Sequence, residues 1–295
     1  MAVMLCYGVS SGSDTGADFL KFGTGGRISA MGEAGAALRT GLMSAYWNPA
    51  GISGSQNIHA GAMHSSVMIE SSIQFAGGVV PAGRAGVFGM SFMLLRNDPM
   101  DRIDYEGNIL GDFKWREWAL SGIWARDLGR GIHAGSAVKL IVKEEEDPLT
   151  GKASGSAYAL DAGIIIEPEF APGFSWGFSV LNAGDGIRME GSSRKDDLPI
   201  FCRSGVSYSY EPLLLCAELM RERGGSWKIG AGAEMRYTEN LSLRAGYYER
   251  EGNIGGLTYG LGLAVNNVSF DWANLPAGEM AGATRENRFS VKVAL

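Results

Sequence analysis

The 295-residue sequence predicts an all-β protein: a fourteen-stranded antiparallel β-barrel that crosses a membrane, preceded by a distinct amino-terminal segment with a short helix. Three observations predict it. Apolar and polar residues alternate through repeated ten-residue segments. About fourteen such segments can be counted, an even number as single-chain bacterial barrels have. The connections between them are mostly long after odd-numbered segments and tight after even-numbered ones, as in barrels with long outer loops and short periplasmic turns. A soluble β fold is the competing reading, but it needs neither the two-sided asymmetry nor strands this long, since soluble strands average about 5–6 residues.

Composition narrows the function classes. Gly counts 44 and Pro only 9, so the glycine excess is neither collagen-like nor a Pro/Gly-rich disordered composition. With 45% hydrophobic residues the bulk of the chain can bury a core. The formal net charge of −6 argues against nucleic-acid binding. Three cysteines and three histidines allow neither a disulfide scaffold nor a zinc site of usual spacing, and no cofactor is expected. No apolar run reaches the ~18 residues of a membrane helix. A mean hydropathy of −0.01 looks soluble, yet an alternating barrel also averages near zero.

Three regions follow one another. Residues 1–18 hold an apolar stretch (2–9) and a Ser/Gly-rich piece (10–13) that resembles the back half of a secretory signal peptide without its charged start; a plain flexible terminus is the other reading. Residues 19–55 form a distinct segment. Its Ala-rich part, 29–38, suggests a short helix with Ser29 as N-cap. Residues 56–295 read as the barrel.

The alternation is clearest from Trp227. Trp227, Ile229, Ala231, Ala233, Met235 and Tyr237 share one parity; Lys228, Gly230, Gly232, Glu234 and Arg236 share the other. Ten residues at ~3.3 Å, tilted ~40°, span about 25 Å. That is the height of an outer-membrane apolar band, here with an aromatic at each end. Residues 132–143, 241–247, 257–266 and 288–295 repeat the pattern. Strand centres are expected near Ala60, Ile73, Gly89, Leu120, Val138, Ala162, Gly177, Gly205, Leu215, Ala231, Leu243, Leu261, Phe270 and Val291. Long connections are expected at 97–113, 144–155, 184–198 and 275–287.

On the polar parity, Lys139, Arg203, Glu218, Lys228, Glu234, Arg236 and Arg244 are the candidate lumen-lining residues, joined by Glu117 and Lys292. Their mixed signs predict a salt-bridged, filled interior and little open conductance. His133 falls on the same parity and reads as a lining residue rather than a base.

The chemistry of an enzyme is missing. The glycines at 23–32 and 230–235 fit neither a dinucleotide fingerprint nor a P-loop and suit strand packing instead. No GxSxG elbow occurs. The acidic run Glu144, Glu145, Glu146 and Asp147 lacks the spacing and loop glycine of a calcium loop and reads as a solvated or lipopolysaccharide-facing loop. Asn48-Pro49 reads by turn chemistry alone as a tight, helix-stopping turn, because Pro49 biases Asn48 away from helix.

The stretch FLKFGTGGRISAMGEAGAAL followed by AYWNPAG resembles the opening of the PorV/PorQ family of outer-membrane proteins, a branch of the FadL-type barrels. The residues that carry the resemblance are Phe19, Leu20, Gly23, Arg27, Met31, Gly32, Ala34, Trp47, Asn48, Pro49, Ala50 and Gly51. It implies fourteen strands, a bacterial outer-membrane location in contact with outer-membrane lipid, and a plug motif at Trp47, Asn48, Pro49, Ala50 and Gly51 lodged in the periplasmic mouth. It implies two functions: transport of hydrophobic small molecules, or a secretion-system role in which long loops bind a secreted-protein partner. The family's acidic residues before WNPAG are replaced here by Arg39-Thr40-Gly41, so their role does not carry over.

Overall fold

The computed structural model describes residues 15–68, 71–249, 255–276 and 285–295. Residues 1–14, where the signal-peptide reading sits, lie outside the described residues. Among those described, sixteen strands form one antiparallel system. Two short ones, Met100–Ile103 and Arg188–Met189, stand off the barrel path.

The other fourteen are β1 (His59–Met68), β2 (Ser71–Pro81), β3 (Val87–Asn97), β4 (Ile109–Gly129), β5 (Ile132–Asp147), β6 (Gly151–Ile166), β7 (Phe174–Gly184), β8 (Phe201–Tyr210), β9 (Leu213–Glu222), β10 (Trp227–Arg236), β11 (Leu241–Glu249), β12 (Gly255–Val265), β13 (Val268–Pro276) and β14 (Arg285–Ala294). Each pairs with its neighbours in sequence, and β1 pairs with β14 from His59↔Ala294 to Ser65↔Arg288, which closes the barrel. Closure leaves the barrel itself without an open edge and satisfies the backbone within lipid. All fourteen expected strand centres fall inside the corresponding strands.

The two faces separate as the alternation dictates. Phe92, Leu120, Val138, Leu215, Ile229, Leu261, Phe270 and Phe289 all project outward and are exposed, a continuous apolar belt. Trp227 and Tyr237 flank the belt at opposite ends of β10, the placement favoured at lipid–water interfaces.

Two expectations change. The helix predicted over residues 29–38 is instead Gly26–Ser29, with Ser29 at its end rather than at its N-cap. The chain then leaves helical geometry, with Gly32 and Glu33 at φ +65° and +57°. Backbone contact with the wall accounts for this: a Cβ at Gly32 would overlap the carbonyls of Ala231 and Tyr247, and the Gly32 N–H donates to Thr258 Oγ1 at 3.1 Å. The loop predicted over 144–155 is also mostly strand. β5 continues to Asp147, β6 resumes at Gly151, and the three strands β4–β6 rise beyond their neighbours at 21, 16 and 16 residues. Each acidic residue of the run has a cation: Glu144 meets Arg116, Glu145 meets Lys143, Glu146 meets Lys152 and Asp147 meets Arg102. Three of these pairs cross between strands, and cross-strand opposite charges favour the extended ladder over an open loop.

Candidate functional site: the filled lumen

The amino-terminal segment runs through the barrel interior. At the loop end, the Gly16 N–H donates to Asp197 O at 2.9 Å, and Lys21 pairs with Glu222 at the top of β9 at 3.0 Å. The buried part therefore begins before Phe19, where the segment was expected to start: Ala17 is fully buried. At the periplasmic end, Arg39 meets Glu167 in the β6–β7 turn.

Trp47, Asn48, Pro49, Ala50 and Gly51 are brought together near the periplasmic ends of β5, β6 and β7, all buried. Asn48 caps a 3-10 turn over Pro49–Ile52, its Oδ1 accepting from the Ala50 N–H at 3.0 Å. Its Nδ2 donates to Ala36 O at 2.7 Å and to the strand carbonyls of Ile164 and Phe178 at 3.1 and 3.4 Å. One amide thus ties the segment to itself and to two strands. Trp47 donates from Nε1 to Thr24 O at 3.1 Å, and the Arg203 guanidinium lies 4.8 Å from its ring centroid. Three wall glycines make room: a Cβ at Gly135, Gly163 or Gly177 would strike Pro49 and Ala50, Asn48, or Ala36 respectively.

The inner wall has two characters. On β2–β5 it is mainly apolar: Ile73, Phe75, Val79, Val87, Met93, Leu95, Ile123 and Ile141 pack around Phe19, Leu20, Leu42 and Ile52 of the segment, with Glu117, Ser121, His133 and Lys139 as buried polar residues on β4 and β5. Burying such a side chain contributes about 1.5–3 kcal/mol, so packing is a large part of what holds the segment here. On β8–β14 the wall is charged. Arg203 pairs with Glu218 at 2.6 Å, and Glu218 Oε2 also accepts from the Ala36 N–H at 2.7 Å. Glu234 receives Arg27 at 2.7 Å and Arg244 at 2.6 Å, and Arg244 reaches Asp271 at 2.8 Å. Arg288, fully buried, holds Ser29 Oγ at 2.6 Å and Glu286 at 2.7 Å.

The other lumen-lining candidates fall elsewhere. Arg236 sits at the periplasmic rim, half exposed, and turns to Glu211 in the β8–β9 turn at 2.6 Å. Lys228 lies at the opposite end of β10, partly exposed. Lys139 stands apart from the charged wall. Its ammonium is buried within 2.7 Å of Asp161 and 2.6 Å of Asn182 Oδ1. Asp161 and Asn182 mark a bulge: β6 pairs Leu160 with Ala183 but Ala162 with Val180, so two β7 residues oppose one on β6. Asn182 takes φ +60° there, and its N–H donates to Asp161 Oδ1 at 2.7 Å. Sequence reasoning missed Asp161, although its parity with Ala157 and Ala159 points it inward.

No family model matches the sequence, and no curated protein matches it. Solved structures do match its fold. The toluene transporter TbuX of Ralstonia pickettii aligns with a TM-score of 0.70 at 14% identity, over 92% of this chain and 98% of that one. A FadL homologue of Pseudomonas aeruginosa aligns at 0.62 and 12% identity, over 91% and 97%. The toluene transporter TodX of Pseudomonas putida aligns at 0.59 and 12% identity, over 92% and 96%. With its outward apolar belt, its closed fourteen-stranded ladder and this likeness, the chain is an outer-membrane β-barrel of FadL-like fold.

Proposed function

We propose that the barrel admits hydrophobic small molecules across the outer membrane, with residues 15–58 as a plug that closes the lumen to water. The observation that carries this reading is the mainly apolar inner wall of β2–β5, packed against Phe19, Leu20, Leu42 and Ile52. A water-filled solute pore would be polar around its whole circumference. The interrupted β6–β7 pairing beside Lys139 is the kinked-strand feature that a lateral route would use. The structural neighbours named as toluene transporters support the same class of cargo. Within the fold, the opening motif from Phe19 to Gly51 supports placement near the PorV/PorQ branch.

The test is the entry of labelled toluene and of a long-chain fatty acid into cells that express the chain, compared with cells that do not. Faster entry of either is expected, and Phe75→Glu, which puts a charge into the apolar wall, should reduce it. Equal entry with and without the chain overturns the reading.

A specific observation favours a second reading, that of a secretion-associated protein with a surface partner. The ribbon of Met100–Ile103 against the start of β4 stands outside the barrel and carries exposed Ile103, Tyr105, Ile109 and Leu110. Under that reading a secreted protein co-purifies with the wild type and is lost when residues 99–110 are deleted, while uptake is unchanged.

A further inference from the structure

The charged half of the lumen contains a cavity that the passage of apolar compounds leaves without a role. It has a volume of 380 Å³ and lies against the periplasmic turns β10–β11 and β12–β13, within the ~300–1,000 Å³ range of small-molecule sites. Gly25, Arg27, Ile28, Thr40 and Met43 of the amino-terminal segment form one side, and strands β10–β14 with the β10–β11 turn form the rest.

Most of its charges are already matched. Glu234 accepts from Arg27 Nε at 2.8 Å, from Arg27 Nη2 at 2.7 Å and from Arg244 Nε at 2.6 Å. Arg244 Nη1 lies 2.8 Å from Asp271 Oδ1. At the rim Arg236 and Glu239 add one charge of each sign, and Arg236 is held by Glu211. Lys292 is the exception. It shares the inward parity of Arg288 and Ser290 on β14 and lines the same cavity, yet among the described residues it makes no ion pair or hydrogen bond. Arg27 Nη1 is likewise left over once Nε and Nη2 are engaged. Away from the rim, the inner wall therefore carries three cations, Arg27, Arg244 and Lys292, against two carboxylates, Glu234 and Asp271. An unmatched ionisable group within a membrane-spanning structure is costly and marks a functional position.

We propose that this periplasm-facing cavity binds a small oxyanion, a carboxylate or phosphate, with Lys292 Nζ as its main ligand and Arg27 Nη1 as the second donor. Ser242 and Ser269 place hydroxyls on the same wall. A charge-assisted contact is roughly twice as strong as a neutral one, and the two-pronged pair with Glu234 holds Arg27 in position.

The experiment is calorimetric titration of the purified full-length barrel in detergent at pH 7 and low salt. Succinate and inorganic phosphate are titrated separately, which distinguishes a carboxylate site from a phosphate site. Saturable binding of at least one is expected, weakened by added salt. Lys292→Gln should weaken it by about tenfold or more. Lys292→Arg should retain it, and Lys152→Gln, on the extracellular hairpin, should not alter it. Absence of binding by the wild type to both anions, or equal binding by Lys292→Gln, overturns the proposal. A readout that needs no variant is anomalous scattering from selenate soaked into wild-type crystals: the ion should lie within hydrogen-bond reach of Lys292, and its absence from the cavity overturns the site.

Discussion

Arg39 Nε and Nη2 lie 2.7 and 2.6 Å from the two carboxylate oxygens of Glu167, a two-pronged pair that joins the lumenal segment to the β6–β7 turn. Burial alone would push the Glu167 carboxyl up. The Arg39 guanidinium more than offsets this, and the net direction is below the ordinary carboxylate range. A carboxyl held low in the folded state stabilises it above its unfolded value of ~4.3, and that contribution is lost as pH falls through the depressed folded value. Unfolding temperatures followed by tryptophan fluorescence should therefore separate wild type from Glu167→Gln at pH 7, and the separation should shrink as the pH falls below the ordinary carboxylate range. A gap that stays constant across this range would assign the stabilisation to something other than the ionised pair.

Asn48 offers a sharper contrast between two substitutions. Its Nδ2 faces three carbonyls, those of Ala36, Ile164 and Phe178, and the side chain is fully buried. Asn48→Ala leaves those acceptors and the Ala50 N–H short of partners, at about 1–3 kcal/mol for an unsatisfied buried group. Asn48→Asp keeps the cap to Ala50 but sets a carboxylate against the three carbonyls. It should cost more than Asn48→Ala, although it is nearly isosteric. Urea unfolding in lipid vesicles ranks the two, and the reverse order would mean that the cap, not the donor, is what matters.

What was legible in the sequence divides along the same lines. The outward face answers to one solvent, lipid, so Trp227, Ile229 and Met235 announce their parity and every strand centre could be placed. The inward face answers to whatever fills the lumen. Phe75, Met93 and Ile123 point inward yet are apolar, because Phe19 and Leu20 pack against them. On β2 and β3 the alternation is therefore weak, and inner and outer residues look alike. The partners of Lys139 and Glu234 depend on register across strands and on the path of residues 15–58, and neither leaves a local trace. The Ala-rich stretch misled for a related reason: Gly32 and Gly35 sit where the segment passes close to the wall and to Trp47, a tertiary demand that overrides helix propensity.

The belt predicts a depth-dependent penalty. Leu261 lies in the middle of β12 on the outward face, whereas Leu149 crowns the β5–β6 turn beyond the belt, and both are exposed. Leu261→Arg should destabilise the barrel by about 2–4 kcal/mol, the cost of a charge near the bilayer midplane. Leu149→Arg should change stability little, as at other exposed surface sites. The comparison must be made in vesicles by urea titration, since detergent blurs depth. Equal effects at the two positions would contradict the placement of the belt.

The three glycines that face residues 36–50 provide a test of closure. A Cβ at Gly177 would overlap the Ala36 carbonyl, so the smallest substitution already forces segment and wall apart. Gly122 on β4 has nothing within 4 Å of the same position. Wild-type barrels in planar bilayers should show no large steady conductance, because apolar packing on one side and ion pairs on the other fill the lumen. Gly177→Leu should add frequent openings and expose the segment to protease, whereas Gly122→Ala should behave as wild type. A large steady wild-type conductance would sink the filled-lumen account. Silent recordings from Gly177→Leu, with its heat-dependent gel shift intact, would show that the segment tolerates displacement at Ala36 without unsealing the pore.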